Sequence, residues 1–281
     1  MAQPPYPPNY APPQNYAPPQ GHVRDQQIPM HAHERLTAMR ERRFFTSDLS
    51  VNEFLLVKEA GFEPLGLVMG SSIYSIGAQQ FGQALPGEVT PLTQALYQSR
   101  ELAMERMEAE ADELGADGIV AMRLTLSVHA WGSNIIEFLA IGTAVRYAAQ
   151  PGAYRTHDGK PFTSDLSGQD FWTILNAGYR PLGFVMGNCV FYVGPPAQQA
   201  QNGELSGPTQ ALYDARELAM ERMQFEAESL RAEGIVGVTV DESNHTWGPT
   251  VLEFSAVGTA VVAIRADHQI PRPTLVLTVN G

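Results

Sequence analysis

The segment Arg100-Glu-Leu-Ala-Met-Glu-Arg-Met107 returns letter for letter as Arg216 to Met223. Working outward, Thr93-Gln-Ala-Leu-Tyr97 returns as Thr209 to Tyr213, and Thr46-Ser-Asp-Leu-Ser50 as Thr163 to Ser167. Pro64-Leu-Gly66 matches Pro181 to Gly183, Met69-Gly70 matches Met186-Gly187, and Gly142-Thr-Ala-Val145 matches Gly258 to Val261. The spacing between matches is constant apart from a one-residue shift across a loop. Two copies of one unit therefore stand in tandem, and a unit repeated at this length is a structural module.

Each copy reads as short helix, long strand, loop, long helix and two further strands. Ser50 with Glu53, and Ser167 with Asp170, have the spacing of a helix cap, and Gly61 and Gly178 stand where those helices should stop. The apolar runs Leu65 to Ile76 and Leu182 to Val193 predict strands. Leu92, Ala95, Leu96, Leu102, Ala103, Met107, Ala111 and Leu114 recur at three- and four-residue steps, the stripe of an amphipathic helix. On its other face Arg106 and Glu110, repeated as Arg222 and Glu226, predict i,i+4 pairs on a solvated surface. Gly115 should end this helix, and Ile119 to Ala130 and Ile135 to Tyr147 should form an antiparallel hairpin. Gly142 and Gly258, inside the last strands, predict a bulge or a close backbone approach.

The chain of 281 residues carries 18 Lys plus Arg against 30 Asp plus Glu, a formal charge of −12. That balance argues against nucleic acid or anionic lipid as a partner of the whole surface. The single cysteine, Cys189, excludes an internal disulfide, a thiolate zinc cage and a CxxC pair, and reads as a small buried hydrophobe. No apolar run is long enough to span a bilayer, so a cytoplasmic location is expected.

Residues 1–29 hold Asn-Tyr-Ala-Pro-Pro-Gln twice in succession, a composition that predicts a disordered tail, which is either a plain spacer or a docking strip for a protein partner. Residues 30–43 follow as a basic helix or connector with Leu36 and Met39 three apart. The modules are expected at 44–148 and 161–265, joined by a linker at 149–160 and followed by an extension at 266–281.

Reaction signatures are missing: there is no GxSxG elbow, HExxH helix or GxxxxGK[ST] loop. Polar residues kept in both copies include Asp48 and Asp165, His129 and His245, Trp131 and Trp247, and Glu137 and Glu253. A three-residue turn would place His129 opposite Glu137, and His245 opposite Glu253. Such pairs would form cross-strand hydrogen bonds or contribute to a site for zinc or a similar divalent ion.

The Arg-Glu-x-Ala helix, Leu114-Gly-Ala-Asp-Gly-Ile-Val120 and the strand ending Gly142-Thr-Ala-Val145 resemble the YbjQ-like family, which is also named for heavy-metal binding. The resemblance spans about 62–147 and 179–263. It implies an α+β fold of two tandem dodecin-like βαββ domains that assemble into rings, with pentamers typical, and a metal ligand. In the second copy Leu230-Arg-Ala-Glu-Gly234 departs from the family pattern, placing Arg231 where a helix-ending glycine is expected. The expectation is a non-enzymatic, homo-oligomeric binding or scaffold protein. The alternative is a metal-binding or metal-sensing protein using His129, Glu137, His245 and Glu253.

Overall fold

Two βαββ units lie side by side, each built on a sheet whose long strands are all antiparallel. The computed structural model describes residues 28–42, 44–75, 86–129, 135–194, 203–244 and 250–270. The repeated tail hexapeptide, the Ala78-Gln-Gln80 and Ala197-Gln-Gln199 loops, Trp131, Trp247 and His245 lie outside them.

The basic segment forms α1 (Met30–Arg42), which buries Leu36 and Met39. The first copy then runs α2 (Val51–Glu59), β1 (Phe62–Ser75), β2 (Gly87–Glu88), α3 (Thr90–Glu113), β3 (Gly118–His129) and β4 (Ile135–Tyr147). The second runs β5 (Phe162–Thr163), α4 (Gly168–Asn176), β6 (Tyr179–Tyr192), α5 (Ser206–Ser229), β7 (Gly234–Asn244) and β8 (Val251–Ala263).

Local chemistry sets these boundaries. Ser50 accepts from the Glu53 amide, and the Glu53 carboxylate accepts from the Ser50 amide, closing the expected capping box. Ser167 likewise accepts from the Asp170 amide. Gly61 and Gly178 end the two short helices at φ +86° and +92°, a region that disfavours a β-carbon. After α5, Arg231 adopts φ +61° in the place of Gly115 at +70°, so the second long helix ends on schedule with a strained residue.

The long helices pack against their own sheets through the repeated Met-Gly pairs. A β-carbon on Gly70 would come within 2.1 Å of the Ala103 carbonyl oxygen, and one on Gly187 within 1.8 Å of that of Ala219. Only glycine admits this approach. Gly142 lies opposite the irregularity between Val120 and Arg123, and Gly258 opposite that between Val236 and Thr239, as expected of bulged hairpins.

The sheet orders are β1-β4-β3-β5 and β2-β6-β8-β7. Each sheet thus ends on a short strand contributed by the other copy. The hydrophobic interior is also shared: Val190, Tyr192 and Val251 join the first copy's core around Leu92, Leu96 and Met107. At the junction Phe62 meets Phe171 edge to face, ring centres 5.0 Å apart, with Phe162 alongside.

Candidate functional site

The densest polar chemistry among the described residues lies where the two copies meet, and it has two sides. On one side, the segment leading into α4 pairs in parallel with the edge of β3. The Phe162 amide donates to the Asp117 carbonyl at 3.0 Å, and the Ser164 amide to that of Ile119 at 2.9 Å. In return the Met122 amide donates to the Ser164 carbonyl at 2.9 Å, and the Ala121 amide to that of Leu166 at 3.0 Å. The bulge in β3 makes this exchange possible. It places Ala121 at φ +50° and turns two consecutive amides away from β4 towards the incoming chain.

The same segment is held to its own copy by the repeated Thr-Ser-Asp. Thr163 accepts from the Phe184 amide, Ser164 meets Thr259 at 3.1 Å, and the Thr259 hydroxyl donates to Asp165. Burial pushes the Asp165 carboxyl up, against the Thr259 hydrogen bond. In the first copy Thr46, Ser47 and Asp48 hold Leu67 and Thr143 in the same way. The repeated Thr-Ser-Asp and Gly-Thr-Ala-Val motifs therefore bind each other in both copies.

On the other side, β2 and α3 of the first copy dock along the edge of β6. The Val89 amide donates to the Val190 carbonyl at 2.8 Å, and Thr93 accepts from the Val190 amide at 3.0 Å. The Tyr97 hydroxyl accepts from the Asn188 amide at 2.9 Å and donates to the Met186 carbonyl. Arg100 stacks over Tyr97 and clamps the Glu226 carboxylate with two donors, the shorter at 2.6 Å. Arg222 pairs with Glu88 at 2.8 Å and also donates to the Asn188 carbonyl. Burial works against the Arg100 charge, but the Glu226 and Glu101 carboxylates outweigh it and hold the pKa above its ordinary value. Burial also raises the Tyr97 hydroxyl, which stays protonated as a donor.

This arrangement corrects the expectation of a solvated charged face. Arg222 pairs with Glu88 rather than with Glu226 four residues on, and Glu226 is taken by Arg100. Glu110 is buried, accepts from the Met69 amide, and pairs with Arg35 of α1 at 2.7 Å. An i,i+4 pair contributes about 0.2–0.5 kcal/mol, and a desolvated partner from another element outweighs it.

The expected hairpin pairs are not directly opposed. His129 faces Ile135 across the ladder, and Glu137 faces Ser127, so these two residues are one diagonal step apart. In the second copy Glu253 faces Ser243, is buried, and accepts from Asn188 at 3.4 Å. Among the described residues no three His, Cys, Asp or Glu side chains come together as metal ligands. The described residues do not fit a resident metal. Cys189 is buried, and that burial pushes its thiol up to about 12.

Comparison with known proteins fits this duplicated architecture. The YbjQ family, described as "Putative heavy-metal-binding", matches residues 57–148 and 197–264. The chain belongs to the YbjQ family. The second match begins after β6, yet β6 pairs with β8 as β1 pairs with β4. Encapsulin nanocompartment protein Rv1762c of Mycobacterium tuberculosis is 50% identical over 256 residues, covering 89% of this chain and 97% of that protein. A UPF0145 protein of Clostridium perfringens is 41% identical over 90 residues, 30% of this chain and 83% of its own length. One from Pseudothermotoga lettingae is 38% identical over 89 residues, 30% of this chain and 82% of its own. These shorter relatives have about the length of one copy, whereas the Mycobacterium tuberculosis relative matches across both copies. Among the described residues no helix is long and apolar enough to cross a membrane.

Proposed function

We propose that this YbjQ protein is a non-enzymatic scaffold that assembles with itself, its copies joining head to tail into a closed ring. The supporting observation is the strand exchange at the junction. The donated segment around Ser164 and the bulged edge of β3 form a matched pair, and each half has a counterpart elsewhere in the chain whose matching edge no described strand pairs with. Residues 44–50 repeat the donated segment and precede the first copy, where Phe44 and Phe45 are exposed. The β7 edge repeats the receiving strand, is exposed from Gly237 to Ser243, and carries Gly237 at φ +67° in the place of Ala121. An open edge beside a donor segment of the right shape favours addition of a strand from another chain. A contact that joins unlike surfaces propagates until it closes.

The relative named as an encapsulin nanocompartment protein supports a structural role of this kind. The modules lie at 44–148 and 161–265 in this reading. Light scattering after size exclusion tests it: a mass that is a multiple of the 30.7 kDa chain is expected, and a stable single chain at micromolar concentration overturns it.

A further inference from the structure

A cavity of about 610 Å³ lies between α1 and the outer edge of β1, lined by Ala32, Arg35, Met69, Ser71, Arg106 and Glu110 among others. It occupies the position on the first copy that Tyr97 and Arg100 fill on the second. Met69, Ser71, Arg106 and Glu110 correspond to Met186, Asn188, Arg222 and Glu226 in the repeat. The backbone and charges are also set alike: Glu110 accepts from the Met69 amide as Glu226 does from Met186, and Arg106 donates to the Ser71 carbonyl as Arg222 does to Asn188.

The matching insert is present at the other end of the chain. Glu204, Thr209, Tyr213 and Arg216 repeat Glu88, Thr93, Tyr97 and Arg100. Within one chain they lie on the surface: Tyr213 is 51% exposed and Arg216 stacks over it, with the ring centre 4.5 Å away, as Arg100 stacks over Tyr97. An aromatic–guanidinium pair already stacked in the open has little side-chain freedom left to lose on docking, and Tyr and Arg are the residue types that dominate contact energies.

We propose that this cavity is the docking site for α5 of a second chain, with Tyr213 entering beside Ser71, Arg216 meeting Glu110 and Glu204 meeting Arg106. The inference rests on the self-assembly reading and names the residues that carry it. Arg35 has a role in the same contact. A buried carboxylate without a cation is unfavourable, so Arg35 keeps Glu110 paired in the lone chain before Arg216 arrives.

Two variants of the full chain separate this proposal from the reading beneath it. Tyr213→Ala with Arg216→Glu removes the insert and leaves the cavity. Ser71→Trp fills the cavity and leaves the insert. Each alone is expected to weaken association by about thirtyfold or more and to run as a single chain at low micromolar concentration. An equimolar mixture retains one good cavity and one good insert, so it is expected to form particles of two chains. That complementation also shows that both variants are folded. Wild-type mass in either variant alone, or a mixture that stays at single-chain mass while wild type assembles, overturns the docking site and leaves self-assembly standing. A wild-type protein that is itself a single chain removes both.

Discussion

Ala121 and Gly237 occupy the same place in the two copies, and both are left-handed, at φ +50° and +67°. The bulge that receives a neighbouring strand demands this conformation. Glycine meets the demand freely and alanine does not, at about 1–2 kcal/mol, partly offset by glycine's larger loss of freedom on folding. Ala121→Gly is therefore expected to stabilise the fold by about 0.5–1 kcal/mol. Arg231→Gly, at φ +61°, should do the same at the end of α5. Chemical denaturation reads both, and a loss of stability in both variants counts against the strain assigned here.

The clamp between Arg100 and Glu226 joins α3 to α5 across the junction. Arg100→Ala removes the cation from a buried site and strands a carboxylate that also holds the Met186 amide. The expected loss is about 3 kcal/mol, seen as a lower melting temperature. Tyr97→Phe removes one donor and one acceptor and should cost about 1–3 kcal/mol. A neutral outcome for Arg100→Ala would mean that the clamp is dispensable to the junction.

Gly168 faces Glu53 so closely that a β-carbon would lie 2.6 Å from that of Glu53. Its amide also donates to the Glu53 carboxylate at 3.2 Å. The equivalent residue in the first copy is Val51, exposed on the surface. Gly168→Val should force α2 and α4 apart and destabilise the chain by about 1–3 kcal/mol. Limited proteolysis between the copies, measured against wild type, should accelerate.

Burial pushes the Glu108 carboxyl up to about 7, with Lys160 at 3.7 Å opposing the shift only in part. The folded chain therefore holds this proton more tightly than the unfolded chain, whose value is near 4.5. Its stabilising effect is present at low pH and is lost as pH rises from about 4.5 through 7. The second copy has Gln224 at this position. Glu108→Gln should leave the melting temperature unchanged near pH 4 and raise it near pH 8. A gain that is equal at both ends of that range would point to a cause other than titration.

The order of elements was legible in the sequence because each boundary rests on a short-range device. Ser50 with Glu53, Gly61, Gly115 and the stripe through Leu92, Leu96 and Met107 all act within a few residues. The repeat further singled out Thr46 to Ser50 and Gly142 to Val145, and these prove to be mutual partners. The junction was not legible, since its contacts link Arg100 to Glu226 and Glu88 to Arg222 over more than a hundred residues. The spacing of Arg222 and Glu226 invited a local pairing that a desolvated tertiary partner displaces. The hairpin register was not legible because it depends on the length of the turn, and His129 falls opposite Ile135 rather than Glu137.

The exchange of edge strands inside one chain fixes the two copies as successive neighbours rather than as members of separate layers. Any circle closed through the same contact therefore counts its modules in pairs. Five such chains closed in that way would make a decagon of modules.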